Sequence, residues 1–239
     1  MLPIAHSELI QIFRNRLVLV TSLVMPVAVG TFFISRHEVF TEIGGAGYIA
    51  AMVMFTVAAF GLYATAVTTL ASRRQNLFLK RLRSTKASDS SILFGLMLPV
   101  TVISVVLLAV MMVALASATE NPDNIGLLVA GMLATIVMMI GLALATAGLT
   151  NSPEHAQVTT LPVSLGVLAV ATWVGISGTE DLTWLKRLLP GGSATELVSN
   201  AWVGGVPVSD SLVLLAPTLG WMVIAIALAT RMFRWEPRR

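Results

Sequence analysis

The segment RRQNLFLKRLRSTKAS, Arg73 to Ser88, carries six Lys or Arg in sixteen residues, within a 239-residue chain that is only 11% charged. Its charges are interleaved with large apolar residues: Leu77, Phe78 and Leu82 stand among Arg73, Arg74, Lys80, Arg81 and Arg83. Guanidinium and ammonium groups pair with carboxylates or phosphates, and apolar residues at helical spacing fit a groove on a partner. Such a block has two uses. It anchors the chain on an anionic membrane face, or it is a surface on which another protein pushes.

Catalytic patterns are missing. The sequence has no GxxxxGK[ST] phosphate loop and no HExxH, and its three His, at positions 6, 37 and 155, lie far apart. His37-Glu38 with Glu42 is the nearest approach to a metal-ligand set, and it reads as a solvated loop because two neighbouring side chains do not make a cage. Ser164 and Ser177 lie outside any GxSxG elbow and read as helix-packing hydroxyls. There is no Cys, which excludes disulfides and thiolate metal sites. We expect no catalytic residue, no metal site, no cofactor bound by this chain and no nucleic-acid partner.

The elements that must position the basic block are long and apolar. The chain is 56% hydrophobic with a mean hydropathy of +0.86, too little charge to cover a soluble domain of this size. Six runs fit the roughly 20 residues that cross a bilayer: Leu17–Ser35, Gly47–Ala71, Ile92–Ser117, Ile125–Thr150, Val158–Gly178 and Leu212–Met232. They lack the period-two alternation of a membrane barrel. No ionisable residue lies within them, Arg231 standing only at the end of the sixth, which argues against ion-coupled transport. Twelve basic residues fall on one side of these spans (Arg14, Arg16, the basic block and the Arg231–Arg239 tail) against Arg36, Lys186 and Arg187 on the other. By the positive-inside rule both termini and the block are cytoplasmic.

Two segments are not spans. In HSELIQIFRNRL, Leu9, Ile12 and Phe13 share one helical face while Glu8, Gln11, Arg14 and Asn15 share the other, as in a helix lying in the cytoplasmic interface. LTWLKRLLPGGSATELVSNAWVGGVP, Leu182 to Pro207, is broken at Pro190-Gly191-Gly192 into two stretches too short to cross. It reads as a pair of short external helices, interfacial or re-entrant.

The order of ELIQIFRNRLVLVTSLVMPVAVGTFF, YIAAMVMFTVAAFGLYATAVTTLASRRQNLFLKRLRSTKASDSSILFG, GLALATAGLTNSPEHAQVTTLPVSLG and RLLPGGSATELVSNAWVGG resembles the membrane subunit of ABC-2 type exporters, in particular drug-export permeases of the daunorubicin-resistance kind. Leu79, Lys80, Arg81, Leu82, Arg83 and Thr85 match the family's coupling string, with Lys86 where Pro is usual and Asn76 where Gly is frequent. The Ser-Gly-x-x-x-Pro string near the outer end of the fifth span is kept only at Ser177 and Gly178. The resemblance implies an all-α, single membrane domain over 1–239: a connecting helix (1–16), six spans, a coupling loop (72–91) and short external helices (179–211). It implies a multi-pass permease of the bacterial cytoplasmic membrane, working with a second permease, identical or homologous, and two ATP-binding subunits that hold ATP and Mg. The cargo implied is a hydrophobic or amphiphilic small molecule such as a drug, lipid or natural product.

On this reading Arg73, Arg74, Leu77, Phe78, Lys80, Arg81, Leu82 and Arg83 couple to the ATPase, since large apolar residues would be wasted in a simple anchor contacting lipids. Met54, Phe55, Thr65, Thr172 and Trp173 fall on the second and fifth spans, which the resemblance places along the translocation path; ordinary helix packing is the plainer account of them. Met52, Met54, Met97, Met111, Met112, Met132, Met138 and Met139 would suit an adaptable interior, or simply pack the spans. The rival functions are a non-transporting membrane scaffold or sensor and an ion-coupled carrier.

Overall fold

The computed structural model describes residues 2–84, 86, 88–233 and 235, and all regular elements among them are helical. Arg234, Arg238 and Arg239 of the basic set, and Thr85 of the coupling string, lie outside the described residues. In order come α1 (Leu2–Arg14), α2 (16–35), α3 (His37–Gln75), α4 (Phe78–Arg83), α5 (Asp89–Ala118), α6 (Ile125–Leu149), α7 (Pro153–Ser177), α8 (Thr183–Leu188), α9 (Gly192–Val203) and α10 (Val208–Met232). Helices α3, α5, α6, α7 and α10 are long and apolar enough to cross a membrane, and α2 contributes the shorter apolar stretch Val20–Ser35.

Local chemistry starts three of these helices. Ser88 Oγ accepts from Ser91 N (3.3 Å), Asn124 Oδ1 from Leu127 N (3.0 Å) and Ser152 Oγ from His155 N (3.2 Å). Pro153 follows its cap at the one helical position where a missing N–H costs nothing. Proline also explains a mid-helix feature. Pro26 has no N–H to give the Ser22 carbonyl four residues back, and α2 widens into a π turn over Val20–Val24. That carbonyl faces Gly61 on α3, where an added Cβ would sit 3.3 Å from it. Helix α3 has its own π segment there, Val57–Ala64, and the two wide turns pack together.

Helix α3 is the core. Its most apolar stretch is 89% buried, against 28% for α7 and 22% for α10. The latter two therefore present broad apolar faces outward. Helix α10 packs chiefly on α6, and α1 on α5. A kink at Gly45 (φ 79°, ψ 170°) sets the first turns of α3 off from the buried part.

The two candidate short helices form a hairpin packed into the bundle. Helix α9 is largely buried between α3, α6 and α7. The turn before it reaches the middle of α3: a Cβ on Gly191 (φ 98°) would lie 3.1 Å from the Phe55 ring. Glycine fits both the left-handed backbone and that close approach. The basic side chains of α1 and α4 gather at one end of the bundle, and the hairpin fills the other.

Candidate functional site

The basic block divides into an inward and an outward half. After α3 the chain turns at Asn76 and Leu77, the latter at φ 55°, a backbone conformation uncommon for a non-glycine residue. This turn sets α4 across the basic end. Leu79 is fully buried, and Phe78 and Leu82 are half-buried against the core, while Leu77 is 47% exposed. Asn76, Leu77, Lys80, Arg81 and Ser84 line a shallow groove of about 540 Å³ on the outward face. Grouping Leu77, Phe78 and Leu82 as one outward apolar patch therefore needs correction: on a helix of 3.6 residues per turn, Phe78 and Leu82 follow Leu79 toward the core.

Arg73 and Arg74 also turn inward. Arg73 Nε and a terminal guanidinium nitrogen each donate to Glu8 at 2.8 Å, and the group also bonds Gln11. Its guanidinium lies 5.7 Å from the Phe78 ring centre. Buried Arg74 donates to the Thr150 carbonyl at the end of α6, and Thr150 Oγ1 meets Thr159 Oγ1 of α7 at 2.8 Å. Arg83 bonds Asp89 (3.1 Å) and stacks on Trp235 (4.9 Å); Arg81 donates to the Asn76 carbonyl (3.1 Å).

The face assignment on α1 changes as well. Glu8 is only 1% exposed and points inward with Ala5 and Ile12, whereas Leu9 and Phe13 face out of the protein. An ion pair with Arg73 makes the inward position tolerable for a carboxylate, and the outward apolar residues suit a helix at a lipid interface.

Between α1, α2, α3 and the start of α7 lies a cleft of about 620 Å³, with Arg14, Arg16 and Asn15 at its mouth. Val18 and Thr68 are common to it and to an apolar slot of about 220 Å³ lined by Met25, Phe60 and Leu161. Polar cleft and apolar slot are neighbours that share this wall.

The candidate path residues are only partly brought together. Phe55 lies under the hairpin turn, and Thr172 Oγ1 meets Met52 Sδ at 3.5 Å, so α7 and α3 touch beside it. Trp173 is 37% exposed, with the Lys186 ammonium 5.2 Å from its ring centre. Met54 is fully buried in α3. Thr65 is apart from this group, about 15 Å further along the helix at 1.5 Å per residue, its hydroxyl bonded to the Phe60 carbonyl across the π segment (3.2 Å).

The hairpin is tied down on several sides. Arg187 pairs with Glu196 through two bonds (2.6 and 2.7 Å), and the carboxylate pushes the guanidinium's pKa further up. Trp221 Nε1 donates to the Leu188 carbonyl (2.7 Å), and Ser193 meets Thr218 (3.1 Å), joining the hairpin to α10. Sequence reasoning missed both Glu8 and Lys186 as buried ions. Nearby, His37, Glu38, Glu42 and Glu120 border a groove of about 750 Å³. Among the described residues no group of three His, Asp or Glu side chains is placed to hold a metal ion.

No curated protein matches this sequence. The family model described as ABC-2 family transporter protein matches residues 16–233, which take in α2 to α10 with the α4 surface and the hairpin. A bundle of apolar helices, a basic short helix packed across one end and a buried hairpin at the other thus belong to a permease-type membrane domain, and the chain is a member of the ABC-2 transporter family.

Proposed function

We propose that this chain is the permease subunit of an ATP-driven exporter for amphiphilic small molecules. Two permeases work with two separate ATPase subunits, which hold ATP and Mg, and the basic end faces the cytoplasm. One observation carries this reading: Leu77, Lys80 and Arg81 form an exposed face on a short helix whose opposite face, through Leu79, is embedded in the bundle. A surface built that way transmits a push. Motion of α4 and the end of α3 reaches α1 through Arg73–Glu8 and reaches the α6–α7 junction through Arg74 and the Thr150 carbonyl. Arg83, paired with Asp89, steadies the far end of α4.

The cleft with Arg14 and Arg16 at its mouth and the neighbouring apolar slot lined by Phe60 suit cargo that has a polar head and an apolar body. Phe55, Thr172 and Trp173 stand where such cargo would meet the hairpin. The scaffold reading leaves both the outward face of α4 and the cleft without a use, and the buried Glu8–Arg73 pair sits at the basic end of the bundle rather than along an apolar run, where an ion-coupled carrier would hold its charges.

The test is recruitment of the ATPase. Leu77→Asp places a carboxylate in a contact that docking would dry, at a cost of several kcal/mol, where each ~1.4 kcal/mol changes affinity tenfold. Asp tolerates left-handed backbone better than Leu, so the turn itself is kept. At matched membrane levels, the variant is expected to lose the nucleotide-binding subunit that co-purifies with the wild-type chain. Undiminished co-purification would count against docking on α4, and a wild-type chain that brings down no nucleotide-binding subunit favours the scaffold reading.

A further inference from the structure

The hairpin holds an ion that the proposed transport cycle does not yet use. Lys186 is 2% exposed, yet among the described residues its ammonium meets no carboxylate. Nζ donates to Ser177 Oγ and to the Gly178 carbonyl, both at 2.8 Å. It also lies 5.2 Å from the centre of the Trp173 ring. All three contacts belong to the C-terminal end of α7, where the helix dipole favours a cation and an aromatic face adds to that attraction. Ser177 is itself fixed by donating to the Trp173 carbonyl (2.7 Å). The adjacent Arg187 and Glu196 satisfy each other, so Lys186 does not share that carboxylate.

The site is tightly built. Gly192 presses so closely on the Lys186 carbonyl that no side chain fits there, and Gly191 beside it covers Phe55 and the Val167 carbonyl. Lys186 thus fastens α8 to α7 at the base of the turn that covers the centre of α3. Taking an ammonium out of water costs about as much as its new contacts return, even with charged partners. Rehydration of the Lys186 ammonium therefore returns much of what its seated contacts supply. An unbranched apolar side chain of the same length differs: it gains from burial and nothing offsets its release into water.

We propose that Lys186 is the positioning residue of a reversible latch on the outer gate. Its ammonium locks α8 onto the end of α7 while the hairpin is seated. Its rehydration offsets the loss of those contacts when the hairpin lifts from Phe55 and cargo passes. The latch rests on the exporter reading, which requires the hairpin to open.

This predicts opposite effects for two conservative changes. Lys186→Met should hold the hairpin more firmly, because an apolar side chain replaces a charge that water would reclaim. Ser177→Ala should loosen it, because the ammonium stays buried with one acceptor fewer. The chain has no Cys, so Val167→Cys gives a single buried thiol beneath the turn. Its reaction with a charged maleimide, in nanodiscs that expose both faces, reports how often the hairpin lifts. Relative to Val167→Cys alone, labelling is expected to be about tenfold faster with Ser177→Ala, equivalent to ~1.4 kcal/mol, and several-fold slower with Lys186→Met. Labelling of the Lys186→Met protein at or above the reference rate, or of Ser177→Ala at or below it, overturns the latch. Only monodisperse preparations enter the comparison, and Ser177, an exposed residue, is a change the fold tolerates. Neither ATPase nor cargo is present, so failure of the latch and failure of ATPase recruitment are separate results.

Discussion

Replacing Glu8 with Gln keeps the shape of the side chain and removes its charge, leaving Arg73 beside two amides. In the native protein the two side chains share two charge-assisted bonds of 2.8 Å, with Glu8 1% and Arg73 15% exposed. Bonds to charged groups contribute about 1.5–3 kcal/mol each, and breaking a buried pair costs about 3–5 kcal/mol. Arg73 keeps Gln11 and the Phe78 ring and has an edge to water, so the cost falls at or just below the bottom of that range. We expect Glu8→Gln to destabilise by about 2–3 kcal/mol and Arg73→Gln by a similar amount. The double change should cost about 2 kcal/mol less than the two added together, because each single change already removes the same pair. Unfolding titrations in mixed micelles of detergent and denaturing surfactant measure all four corners of this cycle. Strict additivity would refute the clamp: Glu8 and Arg73 would then act independently, and α1 would have no ionic tie to α3.

Further outcomes concern the rest of the basic end and the orientation. Leu79→Ala should destabilise by about 2–5 kcal/mol, as for other buried leucines, whereas Leu77→Ala should leave unfolding nearly unchanged; equal effects would refute the two-faced α4. Arg81→Gln should weaken ATPase association mildly and reduce its salt dependence, as exposed charges at the edge of a contact do; binding assays across ionic strength decide this. Single cysteines at Ser84 and Ser88 should label only from the cytoplasm and one at Thr119 only from outside, so labelling of Ser84 and Thr119 from the same side would refute the orientation. The purified chain should hydrolyse no ATP, and turnover that survives removal of every contaminating ATPase would contradict the division of labour proposed above.

Much of the fold is legible because the bilayer is a severe solvent. A run such as Ile125–Leu149 can satisfy its backbone only as a helix, and its length alone identifies a crossing. Hydropathy does not say which crossing is central. Helices α3 and α10 are both strongly apolar, yet one is the core and the other is mostly uncovered. The difference lies in small residues and shape, as where Gly61 accepts the Ser22 carbonyl released by Pro26. That contact joins residues on two helices, and a periodicity read along one helix does not contain it. The buried seat of α9 was equally open in the sequence: Pro190-Gly191-Gly192 announces a turn, but its depth depends on the Phe55 ring that receives it.

Charge was the least legible feature, for a related reason. A polar stripe on an amphipathic helix is ordinarily read as facing water, and this places Glu8 in solvent. The reading fails when a distant segment supplies the opposite charge, and Arg73 is 65 residues away. Once Glu8 is spoken for, the apolar stripe of α1 need not face the core, which accounts for the outward Leu9 and Phe13. Lys186 follows the same logic with a different partner. Its charge is met by a hydroxyl, a carbonyl and a ring at one helix end, none of which a search for carboxylates would flag. What remains outward on α4 after these internal pairings is therefore more informative than the raw count of basic residues. Leu77 and Arg81 stay exposed where Arg73, Arg74 and Leu79 do not, and that selection reduces a sixteen-residue basic run to one narrow exposed face, the one proposed above for docking.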